Sequence, residues 1–133
     1  MIELLKDKNN TIALIGASSN ENKFGYKILV DLDSKGHVVI PINNKETQIE
    51  GKKVFKTVNE ISECPSIINF VVPPNIGFTI TKELVEKGYD NFWYQPGAES
   101  VEISKYLDSK NKNYIDDKCI MVVSNLIDNY KKI

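Results

Sequence analysis

The sequence contains no arginine; all 17 of its basic residues are lysines. The flat guanidinium that grips phosphate through two parallel hydrogen bonds is therefore missing, and any side-chain contact to an anion rests on lysine point charges. Histidine occurs once, at His37. A histidine acid/base pair is thus excluded, and no His/Cys cluster with metal-ligand spacing exists. The two cysteines, Cys64 and Cys119, lack CxxC spacing, which points to a reduced protein of the cytoplasm. Long apolar runs are also missing, and the longest are strand-sized, far below a membrane span. The formal net charge is only −1, so there is no broad positive field for duplex nucleic acid. Residues Met1–Lys6 mix acidic and basic side chains, unlike a secretory signal.

What is there is ordinary in bulk. The 133 residues are 41% apolar and 26% charged, enough for one domain with a real core and too few for two. The informative stretch is Thr11–Tyr26, TIALIGASSNENKFGY. A buried apolar run stops at Gly16, a small polar loop follows, and a helical pattern starts after Lys23-Phe24-Gly25. A strand that breaks at glycine and feeds a helix is the first βα turn of a nucleotide-binding α/β fold. Its backbone N–H groups and helix N-terminus point at one spot, which suits a phosphate.

The remaining elements alternate. A short helix is expected over Ile2–Lys8, strand one over Thr11–Ile15, and helix one from Asn22–Phe24 to about Ser34. Phe24, Ile28, Leu29 and Leu32 fall on one face of that helix. Gly36 stops it, and Val38–Ile42 reads as a second strand buried on both faces. Residues 43–53 read as loop, with an edge strand at Lys53–Phe55 and a helical turn within Thr57–Cys64. Ser66–Val72 is a further buried strand ended by Pro73-Pro74. A helix over Ile76–Lys87, a strand over Asn91–Tyr94, a helix over Ser100–Ser109, a strand over Asn113–Ile115 and a helical turn or two over Met121–Ile127 complete the pattern. The alternation predicts a single α/β, Rossmann-like domain over residues 1–133, with a nucleotide-binding core at 11–127. Its sheet should be mostly parallel, of five to six strands, with helices on both faces.

Ligands of such sheets lie outside the C-terminal strand ends, near the switch in strand order. That selects Gly16–Gly25, Pro41–Lys45, Val72–Asn75 and Gln95–Gly97. The first loop departs from the GxGxxG dinucleotide fingerprint. Ala17, Ser18 and Ser19 follow Gly16, the next glycine is Gly25, and strand two ends in Asn43-Asn44-Lys45, with Glu46 one step late for a ribose-binding acid. A lysine there favours an extra phosphate on the adenosine ribose, as in coenzyme A or NADP.

The ordered set I-G-A-S-S-N-E-N-K-F-G-Y, H-V-V-I-P-I-N-N-K, F-V-V-P-P, W-Y-Q-P-G and D-D-K-C spans Thr11 to Met121. It resembles the small stand-alone CoA-binding domain family of bacteria, a module similar to the nucleotide-binding part of succinyl-CoA synthetase α subunits. The resemblance implies that CoA lies across the four loops. Ala17, Ser18 and Ser19 would meet the pyrophosphate between Gly16 and Gly25, with Lys23 in support. Asn43 and Lys45 would face the ribose and its 3′-phosphate. Val72, Pro73 and Pro74 would line the groove, and Gln95, Pro96 and Gly97 would close its far side. Asn44 departs from the family, which often has proline there.

Each residue also has a plain structural reading: a tight turn for Gly16–Gly25, solvated lysines, strand ends for the prolines, a bend at Gln95–Gly97. His37 should sit at the N-terminal edge of strand two, away from the ligand end, in a structural or solvated role. That weighs against the phosphohistidine chemistry of the related synthetases. Cys119 precedes the last helix, where a thiol pKa can fall, but a buried inert cysteine is the better reading. Trp93 and Tyr94 belong to the sheet core. The function expected is non-catalytic binding or sensing of CoA or an acyl-CoA. The alternatives are an NAD(P)-binding redox protein or sensor and the CoA-binding piece of a multi-subunit acyl-CoA synthetase. Exposed helices on so small a domain leave room for a homodimer.

Overall fold

The computed structural model describes residues 1–131. Its elements are α1 (Ile2–Lys6), β1 (Thr11–Ile15), α2 (Phe24–Ser34), β2 (Val38–Ile42), β3 (Gln48–Ile49), β4 (Lys52–Lys53), a 3-10 turn at Val58–Glu60, β5 (Ile67–Phe70), α3 (Pro74–Glu86), β6 (Asn91–Tyr94), α4 (Val101–Ser109), β7 (Asn113–Ile115) and α5 (Ile120–Lys131). Five strands form one sheet in the order β2-β1-β5-β6-β7, and every pairing is parallel. Phe55 adds a single parallel bridge to Ile42 on the outer side of β2. With that vestigial strand counted, the order is the 3-2-1-4-5-6 of a Rossmann fold.

Alternation along each strand splits the core between the two faces of the sheet. Ile12, Leu14, Ile67 and Trp93 pack on one side with Ile28, Leu29 and Leu32 of α2 and Ile120 and Val123 of α5. Ala13, Ile15, Ile68, Phe70, Phe92 and Tyr94 pack on the other with Leu84 of α3 and Ile103 and Leu107 of α4. Trp93 and Tyr94 are thus core residues, as the sequence suggests.

The differences from the sequence reading have local causes. β2 is buried on both faces past its start, with Val39, Pro41 and Ile42 buried, but Val38 is 44% exposed, because only Phe55, near the other end of the strand, flanks that edge. Within the stretch read as loop, β3 and β4 form an antiparallel hairpin. Ile49 and Val54 anchor it in the core, and it is tied to α2 by Tyr26–Glu50 (2.8 Å) and Lys52–Asp33 (2.8 Å). α1 ends two residues short of the expected Lys8, whose ammonium pairs with Asp128 of α5. α3 starts two residues earlier than expected, with Pro74 at its first position, where a missing N–H costs nothing. α5 is longer than one or two turns. Its first N–H is held by Gln95, and its Met121 carbonyl and Ser124 hydroxyl by the Lys35 ammonium.

Candidate functional site

The order of strands reverses between β1 and β5, and the loops after these two strands flank a cleft of about 470 Å³. Its lining includes Gly16, Ala17, Ser18, Lys23, Gly25, Asn43, Val72 and Pro73 of the expected residues, together with Asn22, Phe24 and Val71. A second, more apolar cleft of about 390 Å³ shares Gly16, Asn43 and Val72 with it. Ile15, Ile42, Asn44, Lys56, Thr57, Ile76 and Ile80 complete that lining, so the two form one groove across the strand ends.

Two glycines make the groove's floor. Gly16 has φ +98°, and a Cβ there would lie 2.6 Å from the Val71 carbonyl oxygen. A Cβ on Gly25 would overlap the Gly16 carbonyl oxygen, so the start of α2 rests directly on the end of β1. This contact brings the first turn of α2 to the cleft. Neither α2 nor α3 has a side-chain cap at its N-terminus, and neither carries an acid in its first turn. Both helix ends therefore present unneutralised N–H dipoles at the groove.

The loop after β1 is rigid through its own bonds. The Ser18 hydroxyl accepts from Asn20 N–H (3.0 Å), Asn20 Oδ1 accepts from Asn22 N–H (3.0 Å), and the Asn20 carbonyl accepts from Lys23 N–H (3.0 Å). Asn43 ties this loop to β2, its Nδ2 donating to the Ala17 carbonyl at 2.8 Å.

Six expected residues lie outside this lining. Ser19 is exposed at the rim, its N–H donating to Glu46 at 3.0 Å. Lys45 is exposed, and its N–H donates to Asn43 Oδ1 at 2.7 Å. Pro74 is the first residue of α3. Pro96 and Gly97 are exposed at the end of β6, beyond the groove. Gln95 is 4% exposed and spends its amide on the protein: Nε2 donates to Cys119 Sγ at 3.1 Å, and Oε1 accepts from Ile120 N–H at 2.9 Å. Cys119 is accordingly half-buried and hydrogen-bonded, not a fully buried thiol.

The sequence reading also missed lining residues. Phe24 was expected on the packed face of α2, yet it is 60% exposed at the cleft with the Lys27 ammonium 5.3 Å from its ring centre. It opens the first turn, which lies over the loop after β1 rather than over the strands. Lys56, Thr57, Ile76 and Ile80 come from segments that only the fold brings to β2 and β1. A signal existed for Ile76, in the first turn of a helix that follows a ligand-end loop. None existed for Lys56. His37 sits at the opposite end of β2, 5% exposed, both ring nitrogens without a partner. Burial, followed by the charge of Lys8, holds its pKa below the ordinary histidine value.

The strand order and the all-parallel sheet define a Rossmann-like α/β domain. The sequence profile of the CoA binding domain family matches residues 10–125, and the chain belongs to that family. It is 36% identical over 78 residues to the α subunit of an ADP-forming acetate–CoA ligase II from Pyrococcus furiosus, a match that covers 58% of this chain and 17% of the subunit. The chain thus spans only a fraction of that relative's length. It is 24% identical over 121 residues to a Bacillus subtilis protein, YneT, covering 91% of this chain and 90% of YneT. Among solved structures, a conserved hypothetical protein from Pyrococcus furiosus superposes with a TM-score of 0.82 at 46% identity, over 85% of this chain and 97% of that one. No helix among the described residues is long and apolar enough to cross a membrane.

Proposed function

We propose that the chain binds coenzyme A or an acyl-CoA in the groove at the C-terminal strand ends, as a cytoplasmic, non-catalytic binding or sensing module. The observation that carries this is the meeting of two uncapped helix N-termini over the Gly16–Gly25 contact, in a chain of the CoA binding domain family. The backbone of Ala17, Ser18 and Ser19 takes the pyrophosphate, with Lys23 beside it. Asn43 shapes the ribose end, and Lys45 with Lys56 supplies charge for the 3′-phosphate. Val72, Pro73 and Pro74, joined by Ile76 and Ile80, form the apolar wall. Pro96 and Gly97 border the far side. Gln95 is a structural joint, since its amide is engaged with Cys119 and Ile120. The groove fits such a ligand chemically, because its anion-seeking helix ends adjoin an apolar cleft that suits a flat base or a pantetheine arm.

A second reading, a CoA-binding piece that works with a separate synthetase subunit, draws support from the ligase α subunit matched over 78 residues. Thermal unfolding with CoA, 3′-dephospho-CoA, NAD and NADP tests the main reading. At a hundred times the dissociation constant, CoA should add about 2.7 kcal/mol of stability and raise the midpoint by several degrees. Omission of the 3′-phosphate should shrink that rise. A rise with NAD or NADP alone would sink the proposal, and copurification of a larger synthetase subunit would favour the second reading.

A further inference from the structure

The loop after β2 carries a carboxylate that the reading above does not use. Asn43 Oδ1 accepts the backbone N–H groups of Lys45 (2.7 Å) and Glu46 (3.1 Å), an Asx turn that folds the chain back toward β1. Glu46, half-buried, is thereby laid against the loop after β1. Its Oε2 accepts from Ser19 N–H at 3.0 Å and lies 3.5 Å from Asn43 Nδ2. A negative charge thus rests on a backbone donor of the loop whose N–H groups and helix end attract anions.

We propose that Glu46 sets the affinity and charge selectivity of the groove, by competing as an internal anion with the phosphates of the ligand for the loop after β1. This inference rests on the CoA reading. One N–H cannot serve two acceptors at full strength. A diphosphate held on this loop also lies close to the Glu46 carboxylate, and like charges at that range repel. Lys23 and Lys56 on the groove's lining offset part of that repulsion. Binding therefore includes the displacement of Glu46, which keeps the ligand loosely held and releasable, as a sensor requires. Glu46→Gln leaves an oxygen to accept from Ser19 while removing the charge.

The test is calorimetric titration of the wild type, Glu46→Gln and Glu50→Gln with CoA and 3′-dephospho-CoA. Glu50 lies in the β3–β4 turn, bonded to Tyr26, so its neutralisation controls for net charge. Glu46→Gln should tighten CoA by about three- to tenfold at low salt, with a smaller gain at about 1 M salt, where the screening length is about 3 Å. The gain should persist with 3′-dephospho-CoA. Binding by Glu46→Gln no tighter than wild type, an equal gain from Glu50→Gln, or a gain that vanishes with 3′-dephospho-CoA would each overturn the proposal while leaving the CoA reading intact. If neither wild type nor Glu46→Gln binds CoA, although both unfold cooperatively, the CoA reading itself fails and takes this inference with it.

Discussion

The two halves of the strand-end edge treat their helix N-termini in opposite ways. On the β1/β5 side, α2 and α3 begin without a side-chain cap, over a groove. On the β6 side, Ser100 caps α4 by accepting from Ile103 N–H at 3.1 Å, and Gln95 takes the first N–H of α5. Both places lie at C-terminal strand ends, although only the first sits at the switch in strand order. Where the protein's own oxygens satisfy the helix end, the place becomes a structural joint. Where they do not, donors and dipole stay free to meet an anion.

The largest effect is expected at Gly25. Gly25→Ala forces a Cβ into the Gly16 carbonyl, so a loss of about 3 kcal/mol or more is expected in urea unfolding. A variant within about 0.5 kcal/mol of wild type, the range of an ordinary surface change, would show that the close helix–strand contact does not matter. On the other half, Gln95→Ala should cost about 1–2 kcal/mol, the usual range for a lost cap, because it strips the start of α5. CoA affinity should barely move. A large affinity loss with little change in stability would turn Gln95 from a joint into a contact.

Lys23→Ala and Lys56→Ala should do the reverse. Each is expected to weaken CoA by about three- to tenfold, more at low salt, with stability unchanged. Equal behaviour by a lysine far from the groove, such as Lys105, would remove their special role.

The smallest expected effect lies at the opposite end of the sheet. The folded-state pKa of His37 is lowered, so the unfolded chain takes up its proton first as pH falls. Its contribution to stability is whole above the unfolded value of about 6.5 and is lost as pH drops from there through the folded pKa. The unfolding midpoint of His37→Phe should fall less than that of wild type between pH 7 and pH 5. Parallel pH profiles would mean that His37 does not titrate in this way.

Much of the fold was legible because its signals are local. β1, β6 and β7 occupy the expected residues, and the helices show apolar spacing with identifiable stops. The β3–β4 hairpin was not legible, since Gln48–Ile49 and Lys52–Lys53 are too short and polar to register as strands. Ile49 reveals itself only by reaching the core. At the groove, Gly16, Gly25 and Asn43 were readable from the turn they occupy. Phe24 was misplaced because periodicity sets the phase of a helix and not where the sheet ends beneath it. Lys56 carried no signal, and Glu46 drew notice only as an acid one step late for a ribose, since a charged residue in a loop looks the same whether it faces solvent or a binding site.

The α/β alternation, the break at Gly16 and the kinship with the CoA binding domain family are written along the chain, because strand and helix periods and glycine turns depend on neighbouring residues. Which strand ends form a groove, and which are closed by Gln95 and Ser100, emerges from the folded arrangement. That arrangement alone laid the Glu46 carboxylate on Ser19. Such choices depend on hydrogen bonds between residues far apart in the chain, such as Gln95 with Ile120 and Ser19 with Glu46, and nothing local records those distances.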